Sequence, residues 1–116
     1  MPVSVSDRLQ DLIEAADDIF RFLGDLDLDA FRSNSLVAAA VERKFISIGE
    51  ALNALSQRHP DIAARFAALG PIVGFRNILV HRYREVDAEE VFKIARIDLM
   101  DLRATALAIL AELGPR

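Results

Sequence analysis

Apolar residues return every three or four positions along almost the whole chain, a rhythm that packed helices satisfy and strands do not. Leu9, Leu12, Ile13, Ala16, Ile19, Phe20 and Leu23 form one such stripe. Ser6 or Asp7 is its expected N-cap, with Gln10 completing a capping box on Asp7, and Gly24 with the alternating LDLD run ends it. A longer helix is expected from Ser33–Ser35 to about Gln57, with the seam Val37, Val41, Phe45, Ile48, Leu52 and Leu55. That seam is close to heptad spacing, which suits a bundle or a dimer contact. Pro60 and Asp61 open a short helix, Ile62 to Leu69, closed by Gly70. Pro71 is placed as the first residue of a fourth helix over Ile72 to Tyr83. Asp87 and Glu90 form a capping pair before Val91, Phe92, Ala95, Leu99, Leu102, Ala106, Ile109 and Leu113, and Gly114-Pro115 stops that helix. The expected architecture is all-α: a small up-and-down bundle of four main helices plus a short one, in a single domain spanning residues 1–116.

Composition narrows the chemistry. Of 116 residues 53% are hydrophobic, enough for a core, and cysteine is absent, which excludes disulfides, thiol nucleophiles and cysteine-held metal centres. Two histidines make a histidine-rich metal site improbable, so neither a metal nor a cofactor is expected. No apolar run reaches the ~18 residues of a membrane span and no signal peptide opens the chain, so a soluble, cytoplasmic protein without membrane contact is expected. Net charge is −4, which does not advertise general nucleic-acid binding. Yet Gly74 to Arg84 carries Arg76, Arg82 and Arg84 without one acidic residue, and there an anion is tolerated.

The fourth helix holds the least ordinary polar residues. Ile72, Phe75, Ile78 and Leu79 cluster on one side at about 100° per residue, while Asn77 and His81, four apart, share the opposite face with Val73 and Val80 nearby. A face of Val, Val, Asn and His is too apolar for plain exposure, and a second copy of the chain is its simplest partner. Arg76 and Tyr83, seven apart, align on the flank. Taken singly, each has an ordinary reading: His81 as a packed or surface histidine, the arginines as solvated charges, Tyr83 as an edge residue covering the bundle. His59 reads as a surface residue. Asp25, Asp27 and Asp29 lack the glycine and the twelfth-position glutamate of a calcium loop.

The combination is more specific than its parts. Arg76-Asn77-Ile78-Leu79-Val80-His81-Arg82-Tyr83 resembles the R-x4-H-x-Y motif of HepT-like proteins in the HEPN superfamily of small helical domains. The segment from Arg43 to Gly49-Glu50-Ala51 resembles the R-x5-GEA pattern of the same family, while Gly70-Pro71-Ile72 stands where that family has a Trp-containing turn. The resemblance implies a HEPN-like fold and a homodimeric, metal-independent endoribonuclease, the toxin of a type VII-like toxin–antitoxin module. It implies further that a minimal nucleotidyltransferase antitoxin silences the enzyme by moving AMP to Tyr83. Such cleavage uses the substrate's own 2′-hydroxyl and needs a base, an acid and a cation. Histidine, with an unperturbed pKa near ~6.5, serves as either base or acid, and arginine is a fixed fork for phosphate. The family roles fall on Arg76 for the scissile phosphate, His81 as general acid/base, and Asn77 as the residue orienting His81 or the phosphate. Arg82 and Arg84 join Arg76 in binding RNA phosphates, and Glu50 supports the site. Two other readings stand beside this one: a non-catalytic helical subunit that helps a nucleotidyltransferase hold substrate or nucleotide, and a plain homodimeric scaffold.

Overall fold

A computed structural model describes residues 4–67, 69–82, 84 and 86–114. Helix α1 spans Val5–Leu23, α2 Leu28–Arg32, α3 Ser35–Arg58, α4 Pro60–Ala63 and α5 Leu69–His81. The last long helix is continuous: α6 (Ala88–Lys93), a π-helical turn (Ile94–Asp98) and α7 (Leu99–Leu113). No strand occurs among the described residues. The all-α bundle is thus what the periodicity predicts.

The ends differ from expectation in informative ways. Ser4, not Ser6 or Asp7, caps α1, its hydroxyl accepting from the Asp7 amide at 3.1 Å. The LDLD run is not only a terminator, because Asp27 accepts from the Ala30 amide at 2.8 Å and starts α2, which buries Phe31. Periodicity cannot register a five-residue helix. The short helix after Pro60 ends at Ala63, so residues 64–67 of the expected helix are instead turn and irregular chain, and α5 starts at Leu69 with Pro71 as its third residue. Proline is tolerated there because the first-turn amides have no intrahelical partner. Asp87 caps α6 as expected, accepting from the Glu89 amide. Tyr83 lies outside the described residues.

Leu9, Leu12, Ala16, Ile19 and Leu23 of α1 meet Val41, Phe45, Ile48, Leu52 and Leu55 of α3, all completely buried. Leu99, Leu102, Ala106 and Ile109 close the core from α7. Successive neighbours are α5 on α3, α3 on α1 and α1 on α7. Ion pairs bridge these seams at the surface: Lys44 to Asp18 at 3.0 Å and Arg103 to Asp17 at 2.6 Å. The hydrogen bond from Lys44, then that from Arg21, holds the Asp18 carboxyl below its ordinary value. The π turn is where Arg96 leaves the helix to donate to the Gly24 and Leu26 carbonyls, both at 2.9 Å, while lying over the Phe92 ring. It thereby ties the turn that follows α1 to the last helix.

Candidate active site

The site is built where α5 turns back along α3. Phe75 sets the depth: its ring meets Phe45 edge-on at 5.5 Å, and Ile72 and Leu79 are buried one turn to either side. Arg76, the next residue, is therefore carried into the seam rather than out to solvent, and only 23% of its side chain is exposed. The room comes from Gly49. A Cβ added there would lie within 2.5 Å of Arg76 Cγ and closer still to its Cβ, so any side chain at position 49 would push α5 away. A glycine inside a helix forgoes about 1 kcal/mol relative to alanine, and this close approach is the physical reason for one here.

The guanidinium is gripped from two sides. Its Nη1 donates to Asn77 Oδ1 at 2.8 Å, and its Nη2 lies 3.6 Å from Glu50 Oε1. Its Nε is buried and has no partner among the described residues. The grip leaves a planar, permanently charged fork at the rim of the α3–α5 seam. Asn77 thus acts on Arg76. Among the described residues its amide oxygen accepts from Arg76, one residue away. Asn77, Val80 and His81 are exposed, so the face expected to carry them does carry them, with Val73 half-buried at its edge. His81 is the last residue of α5 and stands clear of the core. Arg82 and Arg84 follow it and are also exposed.

On the other flank of α5 an open cleft of about 820 Å³ separates it from the helix beginning at α6. Gly74, Asn77, Ile78 and Arg82 line one wall, and Glu89, Glu90, Lys93 and Asp98 the other. Arg76, Asn77 and Glu50 are joined in one cluster, and His81 closes α5 five residues after Arg76. His59 lies on the surface as read, at the junction of α3 and α4. Asp27 is a helix cap and Asp29 faces Arg32 at 4.0 Å, so both acids of the LDLD run have structural partners. Among the described residues no group of three His, Asp or Glu side chains is arranged to hold a metal ion.

Sequence reasoning names Gly49 only within the R-x5-GEA resemblance and gives it no packing role, although a glycine amid helical periodicity was a signal of one. It passes over Glu42, half-buried one heptad before Gly49 and so on the side of α3 that meets α5. Burial raises its pKa above the ordinary 4.5, and no hydrogen bond or ion pair offsets that among the described residues. No periodicity argument marks such a carboxyl, because Glu is common on helix flanks.

The family model for Ribonuclease HepT-like matches residues 12–109, from the middle of α1 to the end of α7's buried stripe. The chain belongs to the HepT-like ribonuclease family. Curated relatives from Methanocaldococcus jannaschii agree. "Putative RNase MJ1380" is 31% identical over 99 residues, covering 82% of this chain and 86% of its own. "Putative RNase MJ0125" is 28% identical over 109 residues, covering 90% of each. No solved structure matches the chain. The matched span of this HepT-like chain includes both the α3 glycine and the α5 arginine. Among its described residues no helix is long and apolar enough to cross a membrane.

Proposed function

We propose that the protein is a metal-independent endoribonuclease acting as a dimer, the toxin of a toxin–antitoxin pair. The observation that carries this reading is the Arg76 fork, seated on Gly49 and held by Asn77 and Glu50, on the same helix as an exposed His81. The relatives' names as RNases support the substrate class. In the proposed reaction the 2′-oxygen of a ribose attacks the adjacent phosphorus and the bond from phosphorus to the 5′-oxygen breaks. His81 of one copy takes the 2′-hydroxyl proton, and protonated His81 of the second copy gives a proton to the departing 5′-oxygen. The products are a 2′,3′-cyclic phosphate and a 5′-hydroxyl. Arg76 neutralises the charge that builds on the non-bridging oxygens, and Arg82 and Arg84 hold flanking phosphates. One chain offers one motif histidine, so the exposed Val80–Asn77–His81 face is where two copies meet.

Control of the enzyme falls on Tyr83. A cognate nucleotidyltransferase moves AMP from ATP to the Tyr83 hydroxyl, forming a phosphodiester and releasing pyrophosphate. The bulk and negative charge of AMP then block an arginine-lined site. The test of the activity is cleavage of a defined RNA in the presence of chelator by wild type and by His81→Ala. Cyclic-phosphate ends from wild type only are expected. Cleavage that stops with chelator, or persists in His81→Ala, overturns the mechanism. No cleavage by a dimeric wild type favours the non-catalytic subunit instead. The test of control is co-expression with the partner and intact mass: an AMP adduct on wild type and none on Tyr83→Phe is expected.

A further inference from the structure

Gly74 stands in the interior of α5, where glycine forgoes helix stability, and no close neighbour explains it. A Cβ added there meets nothing within 4 Å, in contrast with the crowded Gly49. The bare backbone at Gly74 instead lines the open cleft of about 820 Å³ between α5 and the last helix. Across that cleft lies the π turn, a distortion of α-helices found frequently at functional sites. Its first and last residues, Ile94 and Asp98, line the same cleft. Asp98 is half-buried, makes no capping bond, and has no hydrogen bond or ion pair among the described residues. A carboxylate left without a partner on the wall of a cleft is suited to accept from a ligand. The cleft also reaches the proposed reaction centre, because Asn77 lines it while its Oδ1 accepts from Arg76.

We propose that this cleft is the base-recognition pocket of the RNA site, selecting guanine at a nucleotide flanking the scissile phosphate, with Asp98 as the residue that reads it. The inference rests on the ribonuclease reading above and adds a sequence preference to it. Charge decides which part of a nucleotide enters. Asp87, Glu89, Glu90 and Asp98 stand against only Arg82 and Lys93, a lining that repels phosphate and accepts from N–H groups. Ile78, Ile94 and the uncovered backbone at Gly74 give a flat base an apolar surface to lie on. Asp87 and Glu89 are already engaged, in the α6 cap and with Arg32 at 3.3 Å, whereas Asp98 is not. Hydrogen-bond complementarity then chooses the base. Guanine presents two adjacent donors, N1–H and the 2-amino group, which one carboxylate accepts side by side, as it accepts a guanidinium. Adenine and cytosine set an acceptor ring nitrogen beside their single amino group, and uracil flanks its one N–H with two carbonyl oxygens. Each of these turns a lone pair toward the carboxylate. A phosphate on the Arg76 fork and a guanine in the cleft are then held on either side of Asn77.

The experiment reads binding and cleavage separately. Binding is measured on His81→Ala with short oligouridylates that carry one guanine, one inosine, one adenine or no substitution. Inosine keeps N1–H and lacks the 2-amino group, so it removes one of the two bonds. The guanine strand is expected to bind about tenfold tighter than the others, the scale of a bidentate base contact. Adding Asp98→Asn is expected to close that gap. Gly74→Leu places a side chain in open space, so its thermal midpoint should equal or exceed that of wild type while the guanine strand falls to the affinity of plain oligouridylate. This second variant decides the matter if Asp98→Asn does not fold. Cleavage is read by sequencing the fragment ends that wild type makes from mixed RNA, with guanine expected at a fixed position beside the cut. Equal binding of the guanine and inosine strands, or a preference untouched by both variants, overturns the pocket. Cleavage with no base preference beside the cut also overturns it and leaves the ribonuclease reading standing. A guanine preference in binding without cleavage by wild type upholds the pocket and overturns the reaction instead. Binding of none of the strands overturns both.

Discussion

Helices α1 and α5 are both amphipathic by spacing, yet they sit in the molecule differently. Helix α1 is capped at both ends, buries six residues and packs on both α3 and α7. Helix α5 buries three and leans mainly on α3, with an open cleft along its other flank. Its polar residues are the ones proposed to do chemistry. Stability is thus concentrated in α1, α3 and α7, and the working helix is held by one seam. The lesson is that α5 can be altered at its rim with little cost to the fold, whereas its seam with α3 serves both fold and site.

The sharpest break of that comparison comes from the rim. Arg76→Ala and His81→Ala are each expected to lower RNA cleavage by about 10³-fold, the range for loss of a charge-stabilising or proton-transferring group. Far-UV circular dichroism and thermal midpoint should stay near wild type for His81→Ala, which is exposed. Inactive but folded variants fit the division of labour. An unfolded His81→Ala would refute it.

The opposite break lies in the core. Leu52 is completely buried on α3, and Leu52→Ala is expected to cost about 2–5 kcal/mol, depending on how far the cavity collapses. Chemical denaturation measures this. At concentrations where the variant remains folded, its cleavage rate should be close to wild type.

Between these extremes stands Gly49→Ala, a core substitution that should register at the rim. The new methyl meets Arg76 Cβ, which cannot rotate away, so α5 must move bodily. A cost of about 1–3 kcal/mol is expected from overpacking. Cleavage by the folded fraction should fall about tenfold or more, because the fork shifts from its place beside Glu50 and Asn77. If cleavage per folded molecule matches wild type, Gly49 is only a packing residue.

Much of this was legible in the sequence because periodicity reports burial directly. The α1, α3 and last-helix stripes coincide with most of the observed core, the misses being Ile13, Phe20, Val37 and Phe92, which are only partly buried, and Leu113, which is exposed. What escaped has a physical reason in each case. The five residues of α2 are too few for a period to show, and its start depends on one capping aspartate. The π turn follows from where Arg96 must reach, a tertiary demand that no local pattern encodes. Asn77 was set with His81 because they are four apart, yet its carbonyl oxygen found the nearer cation one residue away.

The smallest expected effect belongs to Glu42, and it tests the α3–α5 seam through pH. Burial raises the folded-state pKa of this carboxyl above the ordinary 4.5. Between those two values the folded chain holds more protons than the unfolded one, so stability falls as pH rises through that window. The contribution is complete below the ordinary value and lost above the raised one. Asp18 and Glu112 act in the opposite sense: their hydrogen bonds from Lys44 and Arg65 lower their pKa, and what they contribute is lost as pH falls. Glu42→Gln removes only the first trend, keeping shape while abolishing titration. The variant should match wild type at pH 4 and be modestly more stable at pH 7, a thermal midpoint difference that grows with pH. A constant offset across that range would mean that Glu42 acts by its shape or hydrogen bonding and not by its buried charge. A gain in stability with a loss of cleavage at pH 7 would place Glu42 in the working half of the seam, alongside Gly49.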